Sequence, residues 1–424
     1  GATGPEATGP VSARGVSGLT ATQLAGLSAT QRAALSTTEI GALSTTALAG
    51  LSTSFVNALT TTQLRSLSAT GFAALTTTQI AALSTTQIGV LTSTEVGGMT
   101  SSQMAALSVD QLDALSMTQM AYMSTSGLSG LTASQVSTLD TSQLAVLAED
   151  QIAALSDQAV SGLTTTQLNA LEDWQFTSLS ATGVGGMSAT QISSLTTTQV
   201  ALLSTTEISG LSPIQVAALS TTQLEALTST QAGALSASAI PGLTAAQIDH
   251  LTLTQLSGLT ATQIGALTTT VLSSLDAEDL RAITVTQLAG LVRMQLRALS
   301  IEQLQSLTVT QISALSGTQV SSLTATELTS LTATQFATLS STQVGALTAT
   351  QLGALTTTQQ GSLSATQLSG LTTTTVAALS TTTLGALTAT QLDYLSPTQI
   401  DALTPTQWAS LTQGQVDALN IAML

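Results

Sequence analysis

The side chains that could do chemistry are few and scattered. His250 is the lone histidine. It stands beside Asp249, but a metal site or a catalytic triad needs further partners, and the sequence offers none. A surface histidine, or one between neighbouring coils, is the expected role. Cysteine and lysine are both absent. That removes disulfides, thiolate metal sites, thiol catalysis, Schiff bases and P-loop chemistry. Hydroxyls are abundant, yet no G-x-S-x-G elbow exposes a nucleophilic serine. The acids between Asp110 and Asp173 do not follow a calcium-loop spacing. No catalytic, cofactor-binding or metal-binding residue is assigned, no cofactor is expected, and the chain is not expected to be an enzyme.

Charge and composition narrow the partners. Among 424 residues the formal net charge is -16, and only 7% are charged, against roughly 25% in ordinary domains. The cations are Arg14, Arg32, Arg65, Arg281, Arg293 and Arg297. Nothing here could neutralise a row of phosphates, so no nucleic-acid partner is expected. Apolar residues make up 43% and aromatics 2%, which predicts a thin aliphatic core. No apolar run reaches the roughly 18 residues of a membrane span, and none is expected. The chain opens Gly1-Ala2-Thr3-Gly4-Pro5, which reads as a processed chain or a piece of a larger one.

What must position any of these residues is a repeat. From Val11 an eight-residue phase holds without insertion to Ala418. A typical unit is LTATQIGA, Leu259 to Ala266. Position 1 is Leu, with Met99, Met123, Met187 and Ile283 as variants. Position 2 is Ser or Thr, position 5 mostly Gln, position 6 Leu, Ile or Val, and positions 7 and 8 mostly Ala, Gly or Ser. Ser or Thr followed three residues later by Gln or Glu is a capping box. The Leu before it and the aliphatic residue at position 6 form a hydrophobic staple. Pro213, Pro397 and Pro405 all fall directly after the cap, where proline is favoured because that residue needs no amide hydrogen. Asp110, Glu149, Asp150, Asp157, Asp173, Glu278 and Glu302 fall in the first turn, near the positive helix end.

Each octet is therefore predicted to start a helix at position 3 and end it within about 10 Å. One continuous helix is disfavoured, because eight residues rotate the Leu column by about 80° per unit and leave no fixed seam. A β-solenoid would put positions 1 and 6 on opposite faces. Helices this short are unstable alone, so they must stack. The expected fold is all-α, a solenoid of very short capped helices, with positions 1 and 6 buried and positions 3 and 7 exposed. The number of octets in one coil stays open.

Residues 1–10 read as a flexible leader, 11–418 as the solenoid, and 419–424 as a truncated repeat capped by Asn420. Departures are scattered: Gly71, Gly127 and Gly183 at position 5, and Arg32 and Gln360 at position 6. Asp140 and Asp276 should still cap, whereas Ala148 and Val292 should not. Charges at position 7 are expected to be solvated, with Asp393, Asp401 and Asp417 as an acidic row that could meet an Arg-bearing stretch of another copy. Trp174, Phe176 and Trp408 are expected in packing or at an interface. Regular Thr columns can match ice, but capping already accounts for Thr at position 2.

The consensus L-[ST]-x-T-Q-[LIV]-x-A resembles octapeptide-repeat tracts of the LTTTQIAAL type in large bacterial proteins, across residues 11–418. The resemblance implies a bacterial origin and an extracellular or cell-surface location, and it carries no functional residues. The expected function is structural: an extracellular fibre subunit or rigid spacer, with head-to-tail or lateral self-association. The alternative is a binding scaffold or adhesin that presents a repeat surface to a protein or glycan.

Overall fold

The computed structural model describes residues 18–422. Forty-nine short α-helices and one 3₁₀ turn succeed one another, with no strand among the described residues. The octapeptide reading holds in local detail. In the octet from Leu75, the Thr76 hydroxyl accepts from the Gln79 amide at 3.2 Å, and Gln79 Oε1 accepts from the Thr76 amide at 2.6 Å. The helix Thr77–Ala81 follows. Pro213, Pro397 and Pro405 each open a helix. Asp140 and Asp276 cap as expected, and the seven first-turn acids lie in first turns. One octet departs: Pro241 leaves only the 3₁₀ turn Ile240–Gly242, because proline cannot donate to a continuing helix.

The helices end without a left-handed residue. No residue, glycine included, has positive φ among those described. The Leu at position 1 simply turns extended, as at Leu107 with φ -63 and ψ 136, while its amide still donates to the position 6 carbonyl: Leu107 to Met104 at 3.2 Å.

The chain forms two compact units, Gly1–Leu211 and Ser212–Leu424. Within each, a helix packs on the third one along. In the first, Asp157–Ser161 meets Ala181–Gly185; in the second, Ser341–Gly345 meets Ala365–Ser369. Three octets thus complete one coil. Positions 1 and 6 fill the core: Ile80 is fully buried and Leu83 nearly so. The small residues at position 8 let coils approach. A Cβ on Gly130 would collide with the backbone of Ser101, and one on Gly290 with that of Ala261, in each case on the preceding coil.

Two expectations need correction. No new repeat begins at Asn420: a single helix, Gln413–Ala422, runs through it. Leu419 stays helical there, where the position 1 Leu of earlier octets turns extended. Asp393, Asp401 and Asp417 do not form one row. Asp393 and Asp417 are one coil apart on the same side, whereas Asp401 belongs to the next octet and another side. The leader 1–10 and Arg14 lie outside the described residues.

Candidate functional site

Position 5 carries the feature that defines this molecule. Beyond the first described coil its glutamines are buried, Gln79 to 1% exposure. Capping uses only the Oε1 end of the amide. The Nε2 end crosses to the preceding coil: Gln79 donates to Leu51 O at 2.6 Å and to Leu48 O at 2.9 Å, 28 and 31 residues back. The same pair of bonds recurs at Gln135, to Leu107 and Met104, both at 2.8 Å. In the second unit Gln287 bonds Leu259 at 2.7 Å and Leu256 at 2.8 Å. Each of these glutamines therefore caps the start of its own helix, supplies a donor to a buried position 1 carbonyl of the preceding coil, and adds a second donor to the position 6 carbonyl, which also accepts from the position 1 amide.

Sequence reasoning finds the cap and misses the ladder. A signal is present in the residue choice. A capping box accepts Glu as readily as Gln, and a helix N-terminus favours the negative charge. The predominance of Gln marks a need for a donor as well as an acceptor.

The exceptions confirm the chemistry. Glu95 is fully buried. Its Oε2 accepts from the Thr92 amide at 2.6 Å and the Thr92 hydroxyl at 2.8 Å, but Oε1 has no partner. Burial raises its pKa, against the lowering effect of the Thr92 hydrogen bonds and of Arg65. Asp279, also at position 5, is raised by burial too; the Asp276 hydrogen bond opposes this, and the Asp276, Asp249 and Glu278 charges add to it. Where position 5 is glycine, a position 6 side chain of the preceding coil packs into the gap. A Cβ on Gly71 would lie 3.3 Å from Leu48 Cδ1, and one on Gly127 3.5 Å from Met104 Cε. The same relation between coils puts the Arg32 guanidinium 5.4 Å from the centre of the Phe55 ring. Gln360, buried at position 6, leaves its Nε2 3.4 Å from Leu352 O.

Position 7 is not purely a solvated column. Arg281 Nε donates to Ser306 O at 3.2 Å, Arg297 Nε to Ser322 O at 2.7 Å and Gln305 Nε2 to Ser330 O at 2.7 Å, each 25 residues on. Long donors here bind the next coil's backbone. His250 is exposed, and its Nδ1 lies 2.8 Å from Ala246 O in its own helix. Among the described residues no group of three His, Cys, Asp or Glu could hold a metal. Among them, too, no helix is long and apolar enough to cross a membrane. Phe176 is buried and Trp408 half-buried, so both pack; Trp174 is 47% exposed.

No curated protein matches the chain. Residues 71–101 and 376–405, both within the octapeptide array, match the family model of the ALTTAQ repeat.

Proposed function

We propose that this is a non-enzymatic structural protein, a fibre subunit or rigid spacer that works outside the cell or on its surface. The glutamine ladder carries the reading. Cohesion comes from backbone carbonyls and one repeated side chain, so a coil can be added without designing a new interface. The first described coil supports this reading. Gln23 and Gln31 are exposed, and Leu27 and Leu35 only half-buried, where their counterparts in later coils are buried. A coil of the same kind, from a second copy or from further repeats, would cover them with Leu carbonyls. The scarcity of charge leaves little repulsion against lateral packing. The second reading, a scaffold that presents a repeat surface to a protein or glycan, draws support from exposed Trp174 and Met294.

Sedimentation velocity over a hundredfold concentration range, with negative-stain microscopy of the same samples, separates these. The fibre reading expects concentration-dependent growth into linear assemblies. A monomer at every concentration would contradict it and restrict the structural reading to a spacer.

A further inference from the structure

Three helices give up their cap side chain. Among the α-helices whose N-cap is described, only those capped by Ala148, Glu172 and Val292 lack the side-chain hydrogen bond. Each substitution forfeits a bond that stabilises the helix start. The glutamine return survives at all three, 2.8 Å at Ala148, 3.3 Å at Glu172 and 2.9 Å at Val292. The fold is kept, so the lost caps ask for another explanation.

The three sites fall in two patches. In the first unit, the octets of Ala148 and Glu172 are one coil apart, and their helices Glu149–Ala153 and Asp173–Thr177 pack together. The coil sets Glu149 at the level of Asp173 and Asp150 at that of Trp174, all exposed. An open hollow runs beside them, lined by Ala148, Glu149, Asp150, Ala153, Thr177 and Ser178. No arginine occurs between Arg65 and Arg281 in the sequence. In the second unit, the octet LVRMQLRA (Leu291 to Ala298) shows Val292 at 52% and Met294 at 74% exposure, with Arg293 between them. Another open hollow adjoins it, lined in part by Val292, Arg293, Thr318, Ser321 and Ser322. From Arg281 to Arg297 there are three arginines and no acid.

We infer that these patches recognise each other: the Val292–Arg293–Met294 face of one copy docks on the Glu149–Asp173–Trp174 face of a second copy. Charge complementarity selects the partner. The chain's densest run of arginine meets an acid-rich face, and each brings apolar surface to a contact that charge alone would leave weak. Trp and Arg are the residues that most often dominate such contacts. The two faces differ, so the contact is heterologous, and each copy keeps one face free for the next. This deepens the self-association reading and rests on it.

Arg293→Ala and Asp173→Ala disable opposite faces without creating a charge-reversed pair between the two variants. By sedimentation velocity at low salt, each variant alone should associate about tenfold or more weakly than the parent chain. An equimolar mixture of the two should form dimers and stop there, since each contributes its one intact face; that rescue also shows that both variants are folded. Trp174→Ala should weaken the parent's association, and added salt should weaken it further. If the parent associates and the variants associate equally well, or the mixture fails to pair, this interface is overturned while self-association stands. A parent chain that stays monomeric throughout would overturn both.

Discussion

Gln63 Nε2 lies 2.8 Å from the carbonyl oxygen of Leu35, 28 residues earlier, while Gln63 Oε1 lies 2.9 Å from the amide of Thr60, three residues earlier. One side chain thus serves a local interaction and an axial one. The two ends of the amide are not interchangeable: one must accept and the other must donate. This explains why glutamine recurs at position 5, and it makes position 5 the place where small chemical changes should have large effects.

Gln79→Glu keeps the cap acceptor and removes the donor. It sets carboxylate oxygen against the carbonyls of Leu48 and Leu51. The expected cost at neutral pH is about 1–3 kcal/mol, read by urea unfolding. The loss should shrink on acidification, because a protonated carboxyl regains a donor.

Glu95→Gln is the reverse experiment. A glutamine there would reach the carbonyls of Leu67 and Leu64, which stand to position 95 as Leu51 and Leu48 stand to Gln79. Stability at neutral pH should rise by about 1 kcal/mol. The pH dependence follows from the sign of the shift. The pKa of Glu95 is raised in the folded chain, so its favourable contribution is complete below the ordinary glutamate range and is lost as pH climbs through the raised value. Arg65 is the charged group that opposes the shift; Tyr122, on the coil above, is exposed. The parent chain should therefore gain stability on acidification toward the glutamate range, and Glu95→Gln should lose that part of the gain. Equal pH profiles for the two proteins would refute the assignment.

Core and cap should separate in magnitude. Leu259 is 3% exposed. Leu259→Asp buries an unpaired charge and should cost about 3–5 kcal/mol. Thr260→Ala removes one cap bond, to Gln263, and should cost about 1 kcal/mol. Denaturant unfolding decides this, and similar small effects from both would argue against a packed core.

Much of this fold is legible in the sequence because its determinants are local. Cap, staple and proline all act within one octet, so Thr76, Gln79 and Pro213 can be placed from spacing alone. The burial of Leu83 and Ile80 follows from the staple. What stays hidden acts between octets. The partners of Gln79 Nε2 lie on the preceding coil, and the coil number that brings them together depends on how closely Gly130 rests on Ser101. The tail departs as well: Asn420 is a good cap residue, yet Leu419 stays helical where the position 1 Leu of earlier octets turns extended, and the helix runs on. The interface residues are visible in the sequence only as oddities, Val292 and Ala148 at cap positions, until the coil brings Ala148 under Glu172 and Asp150 under Trp174.

The three-octet coil is the relation on which all else depends, and a chain without cysteine allows it to be tested covalently. A Cβ on Gly317 would lie 3.0 Å from the Cβ of Ala346, on the next coil, with no backbone atom nearer than Thr342 O at 3.2 Å. The double variant Gly317→Cys with Ala346→Cys should form an intramolecular disulfide under mild oxidation, within the Cβ separations that disulfides accept after a small adjustment. Gly317→Cys with Ala354→Cys, displaced by one octet, should not. Efficient closure of the first pair and none of the second, read by intact mass and gel mobility, is the result predicted; closure of the second pair in place of the first would contradict a coil of three octets.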